Sequence, residues 1–195
     1  MKTNWGILFF RPFEKIAGRR ALFWGILGLL VSILLSFWSG YHYHGLLHYG
    51  AAPNDALWVY VVEHLVIWLV PALLFLLGGL MLSKSKVRAL DVMGTTVFAL
   101  LPMLGMNLFN FLPPMQKLLV MDVADLVNPE SAPPMTDLLV MLLGTVFTVW
   151  MLIWLFNALK VSCNLKGTKL VLWYIFAVVA GDVVCRFIIS WFYSL

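Results

Sequence analysis

The residues most able to do chemistry are charged and amide side chains within long apolar stretches. A charge near the centre of a membrane helix costs about 2.5–3.5 kcal/mol on insertion scales, so each one needs a partner or a function. Counted from the ends of their stretches at 1.5 Å per helical residue, these side chains fall at similar depths. They are Glu63, His64, Asn107, Asn110, Asp182 and Arg186.

Opposite charges at matched depth predict a specific pairing within this polar layer. Asp182 and Arg186 are spaced i, i+4 and share a helix face. We expect Arg186 to pair with Asp182 along its own helix and with Glu63 across two helices, while Asn107 supplies hydrogen bonds. A buried polar cluster that fixes helix register is the favoured interpretation. A substrate, ion or proton site is the alternative, and snorkelling of some side chains to the interface is a third.

The histidines raise the question of a metal. They are His42, His44, His48 and His64. Neutral imidazole is a good metal ligand, and Asp55 or Glu63 offers oxygen ligands nearby. However, the spacing matches no closed metal motif, and Tyr41–His48 has the composition of an aromatic belt at a membrane interface. We therefore predict no metal. An outer-face metal site on His42, His44 and His48, or a haem between two histidines, is the weaker alternative.

Motifs typical of enzymes are missing from the sequence. There is no G-x-S-x-G, H-E-x-x-H, P-loop or C-x-x-C pattern. The sequence thus predicts a protein that is not an enzyme and needs no cofactor.

The stretches that position these residues have the composition of membrane spans. The chain has 195 residues, of which 63% are apolar, and its mean hydropathy is +0.95. A soluble domain of this size cannot bury so much apolar surface. A span needs about 20 apolar residues. Five stretches qualify: Ala21–Ser39, Ala56–Leu82, Val92–Leu112, Leu138–Val161 and Leu170–Phe192. We predict an all-α bundle of five transmembrane helices, with residues 1–195 as a single domain.

The basic residues predict the orientation. Eleven of the thirteen lysines and arginines lie before the first span or in or next to the second and fourth loops between spans: Lys2, Arg11, Lys15, Arg19, Arg20, Lys84, Lys86, Arg88, Lys160, Lys166 and Lys169. Short basic loops stay in the cytoplasm. We expect a cytoplasmic N-terminus and an outer C-terminus. This bias also accounts for the positive charge, so nucleic acid is not an expected partner. The expected partners are the lipid bilayer, other membrane proteins or a second copy of the chain.

Several local features are predicted as well. Pro12–Arg19 should form a short interfacial helix before the first span. Pro71 and Pro102 should kink their helices. The outer loop Pro113–Asp137, between the third and fourth spans, should contain a helix over Met115–Leu126. One stripe of small residues should let a neighbouring helix approach the first span closely. This stripe is Gly25, Gly28, Ser32 and Ser36.

Three parts of the chain resemble a known family. They are Phe10–Glu14; Lys86–Thr96, followed by Pro102; and Trp154–Ser162, followed by Asn164–Gly167 and Lys169. These parts are similar to bacterial members of the YIP domain family, the Ypt-interacting-protein-like multi-pass membrane proteins. The resemblance implies a five-span helical domain in a bacterial inner membrane and brings no catalytic residues. Eukaryotic members act in vesicle traffic with small GTPases and carry a long cytosolic N-terminal region. This chain shows no such region, so a GTPase role is not expected.

Two functions from different classes follow from these observations. The first is a non-enzymatic scaffold, or an assembly or trafficking factor, that acts on membrane partners or lipids. The second is a small-solute, lipid or ion carrier that uses Glu63, Asn107, Asp182 and Arg186. A hydrated cavity reaching the polar layer would favour the carrier, and a dry, fully paired layer would favour the scaffold.

Overall fold

Five membrane-spanning helices form the protein, which is described here by a computed structural model over residues 9–121 and 133–194. Within these residues five helices are long and apolar enough to cross a bilayer. They are α1 (Gly18–Ser39), α2 (Leu57–Leu82), the third span made of α3 (Ala89–Ala99) and α4 (Met103–Phe109), α6 (Met135–Ser162) and α7 (Gly167–Tyr193). The predicted all-α membrane fold is confirmed.

Short elements fill the connections. A 3-10 turn covers Pro12–Glu14, strands β1 (His42–Tyr43) and β2 (Tyr49–Gly50) lie between α1 and α2, and helix α5 covers Pro113–Val120. The expected helix Met115–Leu126 overlaps α5, and its part beyond Met121 lies outside the described residues. We call the side that carries β1, β2 and α5 the hairpin side. The opposite side, with the α2–α3 and α6–α7 loops, is the basic side.

The third span lies at the centre of the bundle. In its most apolar window 67% of the residues are buried, against 22–39% in the other four spans. It packs against α1, α2 and α6. The outer helices instead expose large side chains such as Leu80, Leu142 and Phe187. Apolar faces of this kind are stable against lipid tails and not against water.

The third span is broken at Leu100–Pro102. Proline has no N–H to donate, and its ring clashes with the preceding turn. The backbone therefore changes to i→i+3 bonds here: Leu101 N donates to Phe98 O at 3.1 Å, and Met103 N to Leu100 O at 2.9 Å. The predicted disturbance at Pro102 is thus a full helix break. At Pro71 the expected kink does not interrupt the helix, because α2 runs through it.

Helices α1 and α3 approach each other closely along the predicted small-residue stripe. A Cβ atom placed on Gly25 would lie 2.7 Å from the backbone nitrogen of Phe98. A Cβ on Gly28 would overlap the side chain of Leu101. Ser32 and Ser36 are buried on the same face. The packing role predicted for this stripe is confirmed.

The predicted interfacial helix Pro12–Arg19 is wrong in extent. Helical structure there is limited to the turn Pro12–Glu14, and α1 already begins at Gly18. The reason is that the segment packs into the bundle, with Phe13 buried against Phe98 and Trp154. Trp154 Nε1 also donates to the carbonyl of Phe9 at 2.7 Å.

The loop between α1 and α2 folds back into the bundle. Gly40, in the left-handed conformation at φ 72°, ends α1 and turns the chain. An antiparallel hairpin follows, in which His42 pairs with Gly50 and Tyr43 with Tyr49. A lone two-stranded hairpin is marginal in water, so helix contacts must hold this one. Its buried side chains are Tyr41, His42, Tyr43 and Leu46. The interpretation of these residues as a surface aromatic belt is therefore wrong.

Candidate functional site

The hairpin lies against a buried polar network built on α1, α2 and the third span. Of the predicted polar layer, Glu63, His64 and Asn107 are fully buried in this network. Asp182 forms a separate branch beside it. Within the described residues, no side-chain hydrogen bond or ion pair joins Arg186 or Asn110 to the rest.

Glu63 has three hydrogen-bond contacts in the network. It has 0% exposure. Its Oε1 is 2.7 Å from His42 Nδ1 and accepts a hydrogen bond of 2.6 Å from the hydroxyl of Tyr193. Its Oε2 accepts one of 2.9 Å from the backbone N–H of Tyr43. A buried carboxylate is tolerated when its lone pairs are occupied in this way.

His42 connects Glu63 to the surface. Its Nε2 lies 3.2 Å from Oδ1 of Asp55, whose side chain is 81% exposed. The imidazole ring stacks on Tyr60 with the ring centroids 4.0 Å apart. An ionised carboxylate only accepts hydrogen bonds, so both contacts are satisfied together when the imidazole carries both of its protons. The imidazole therefore bridges the buried carboxyl group of Glu63 and the exposed one of Asp55.

A second chain of hydrogen bonds runs from the hairpin into the bundle. The hydroxyl of Tyr43 donates to Oδ1 of Asn107 at 2.7 Å, and Nδ2 of Asn107 donates to Oγ of Ser32 at 2.7 Å. Oγ of Ser32 lies 2.9 Å from Nε2 of His64. Nδ1 of His64 lies 2.8 Å from the carbonyl oxygen of Tyr60. A carbonyl can only accept, so Nδ1 carries the proton and Nε2 accepts from Ser32.

The predicted pairing of Arg186 is wrong. Asp182 instead accepts a 2.9 Å bond from the backbone N–H of Leu47 and lies 3.1 Å from Nδ1 of His48. Among the described residues Arg186 forms no ion pair with Asp182 or Glu63, and it is exposed. The hairpin causes this difference. Gly45 lies against the Asp182–Arg186 face, where a Cβ would be 2.8 Å from Oδ1 of Asp182 and 2.7 Å from Cγ of Arg186.

Three buried polar atoms lack hydrogen-bond partners in the described part of the chain: Ser36 Oγ, Tyr60 OH and Asn110 Oδ1. Asn110 therefore lies apart from the chain that contains Asn107. Its backbone carbonyl has a different task, since it accepts a 2.6 Å bond from Nε2 of Gln116 in α5.

The loop histidines have separate environments. His48 is exposed and faces Asp182, whereas His44 packs edge-on against Tyr193 with centroids 5.6 Å apart. Burial lowers the pKa of His44 below its usual range, which keeps its ring neutral. No group of three or more His, Cys, Asp or Glu residues able to hold a metal occurs within residues 9–121 and 133–194.

Space around the network is unequal on its two sides. A small cavity of about 10 Å³ beside Ser32 and His64 has room for about one water molecule. A pocket of about 610 Å³ opens on the hairpin side and reaches Asp55 and Tyr60. The network is thus open to solvent at Asp55 and tightly packed around Ser32 and His64.

Six participants were not assigned to the polar layer from the sequence: Ser32, His42, Tyr43, His48, Asp55 and Tyr193. Ser32 was assigned to packing, and the hairpin residues were assigned to the surface. One signal was available. Glu63 needs buried donors, and the loop Gly40–Asp55 contains histidines and tyrosines but no lysine or arginine.

Comparison with known proteins gives one match. The family model described as the Yip1 domain matches residues 5–185, which include the whole hairpin and all five spans except the end of α7. No curated protein and no solved structure matches the chain.

Proposed function

The chain belongs to the Yip1 domain family, and from this premise we propose that it is a non-enzymatic scaffold or assembly factor acting on membrane partners or lipids. The match over residues 5–185 is the observation that carries the proposal. The polar layer supports it, because Glu63, Asn107 and Asp182 are all hydrogen-bonded and the cavity beside Ser32 and His64 has room for only about one water molecule. A carrier would need a wider path.

The basic side is the surface that we propose for partners. All three parts of the chain that resemble the YIP family contribute to it. Nδ2 of Asn157 donates to the carbonyl of Phe10 at 2.9 Å, which fixes the N-terminal segment against α6. Nδ2 of Asn164 donates to Oγ of Ser85 at 2.9 Å, which joins the two basic loops. These contacts hold separate segments as one surface.

We propose that this surface is cytoplasmic, in a bacterial inner membrane, with the C-terminus outside. The partition of the basic residues supports this orientation. An enzymatic reporter that is active only outside the cytoplasm should be active at the C-terminus and at Asp55. The same reporter at Ser85 should be silent. An active fusion at Ser85 together with a silent one at Asp55 would show that the orientation is the opposite of the one proposed.

Two measurements distinguish the scaffold from the carrier. A photoreactive amino acid at the exposed position Lys86 should give a discrete protein adduct in native membranes, whereas one at the lipid-facing Phe187 should give lipid adducts. In proteoliposomes under a proton gradient, wild-type protein should leak no faster than empty liposomes. A flux that Glu63→Gln abolishes would overturn the scaffold and support a carrier. Absence of any protein adduct on the basic side would also contradict the proposal.

A further inference from the structure

A pocket on the basic side lies between the α2–α3 loop and the α6–α7 loop. We propose that it binds a phosphate group, either that of an anionic lipid headgroup or that of a soluble phosphate compound. Its volume is about 290 Å³, at the small end of the roughly 300–1,000 Å³ that ligand pockets occupy. The size suits a headgroup and not a large substrate.

The charged residues that line the pocket are all positive. Lys84, Lys166 and Lys169 contribute three ammonium groups, and no acidic residue lines it. The other lining residues are Leu82, Ser83, Ser85, Asn164 and Leu165. Hydroxyl, amide and ammonium groups are the donors that phosphate oxygens accept from. The lining therefore has the chemistry of a phosphate site.

The three lysines are available for a ligand. Each is exposed, and none forms an ion pair within the described parts of the chain, where the ion pairs involve other residues. Three like charges around one small pocket repel one another until an anion neutralises them. Helix α7 also begins beside the pocket, at Gly167, so the positive end of its dipole adds to the lysine charge.

The pocket wall is held in place before any ligand binds. Asn164, in the left-handed conformation at φ 50°, donates from Nδ2 to Oγ of Ser85 at 2.9 Å. Oγ of Ser85 in turn lies 3.1 Å from Oγ of Ser83. The two loops are thus joined across the pocket, which reduces the ordering that a ligand must impose.

The position of the pocket suits a lipid. It lies at the ends of α2, α6 and α7, where membrane helices meet the headgroup region. Basic pockets between helices at this level are suited to phosphate headgroups. This inference rests on the proposed function and deepens it, since lipids are among the partners proposed for the scaffold. The occupancy of the pocket can be measured without any protein partner, so its failure is distinguishable from the absence of a protein adduct on the basic side.

Lipid binding should depend on these three lysines. The full-length protein in nanodiscs of phosphatidylcholine with one fifth phosphatidylglycerol should retain phosphatidylglycerol in native mass spectrometry. Each lysine near the surface contributes about a fivefold change in affinity for an anionic lipid. The combined change Lys84→Gln, Lys166→Gln, Lys169→Gln should therefore weaken binding about 100-fold. Each single change should weaken it about fivefold, which keeps the test valid if the triple variant folds poorly.

A matched control removes the same charge elsewhere on the basic side. Lys15, Lys86 and Lys160 are exposed and do not line the pocket, so their combined change to Gln should weaken binding less than about fivefold. A second arm titrates inorganic phosphate in a neutral detergent. Loss of lipid or phosphate binding in the pocket variant alone supports the site, and the arm that shows it identifies the source. Equal losses in both triple variants, or no binding in either arm, would overturn the proposal.

Discussion

His42→Phe is expected to lower the free energy of unfolding by about 3–5 kcal/mol, the cost of removing one partner from a buried ion pair. Phenylalanine keeps the ring that stacks on Tyr60. It removes both nitrogens, so the buried carboxylate of Glu63 loses the contact at 2.7 Å and Asp55 loses the one at 3.2 Å. Glu63 then keeps only the hydrogen bonds from Tyr43 and Tyr193.

The loss of stability in His42→Phe can be measured by thermal unfolding in detergent, with tryptophan fluorescence as the signal. Arg186→Met is the control, because Arg186 is exposed and pairs with neither acid. It should change stability by less than about 1 kcal/mol. The double change His42→Phe, Glu63→Gln should recover part of the loss, since a neutral amide needs no cation and still accepts from Tyr43. If Arg186→Met destabilises the protein more than His42→Phe does, Glu63 is stabilised by the arginine.

Gly25→Ala is expected to cost about 2 kcal/mol, within the range for overpacking a close contact. The added methyl would meet the backbone nitrogen of Phe98 at 2.7 Å, and backbone atoms cannot move aside as a flexible side chain can. Helices α1 and α3 would have to separate, and the contacts between Gly28 and Leu101 would loosen with them.

Gly181→Ala is the matched control. Gly181 is also a buried helical glycine, but a methyl there meets only the end of Leu74, at 3.4 Å. Alanine favours a helix over glycine by about 1 kcal/mol, so this change should be neutral or slightly stabilising. The same melting experiment compares the two. Equal melting temperatures for the two alanine variants would mean that the α1–α3 approach is looser than described.

The spans could be predicted because hydropathy is a local property. Each apolar stretch marks its own helix, and the structure places α2 and α7 within a few residues of the predicted bounds. The small-residue stripe on α1 was also readable, since it has helical spacing. These features depend on residues that are close in the sequence.

The polar layer was harder to predict because depth is only one of the coordinates that decide a contact. Glu63 and Arg186 have matched depths, but the rotation of each helix about its axis decides which side chains meet. The loop Gly40–Asp55 also occupies the space between them, and only its composition, with histidines and tyrosines but no lysine or arginine, indicates that it turns inward. The hairpin is held by contacts such as that of Tyr43 with Asn107, 64 residues away.

The three hydrogen bonds to Glu63 have a consequence for how the chain is made. His42 and Tyr43 lie 21 and 20 residues before Glu63, so both are already part of the growing chain when Glu63 is added. Tyr193 comes 130 residues later. When the second helix enters the translocon, two hydrogen-bond partners of Glu63 have therefore already been synthesised, which offsets the cost of inserting its charge. The third hydrogen bond, from Tyr193, can form only after the last helix has been synthesised. The surroundings of Glu63 are therefore complete only at the end of biosynthesis.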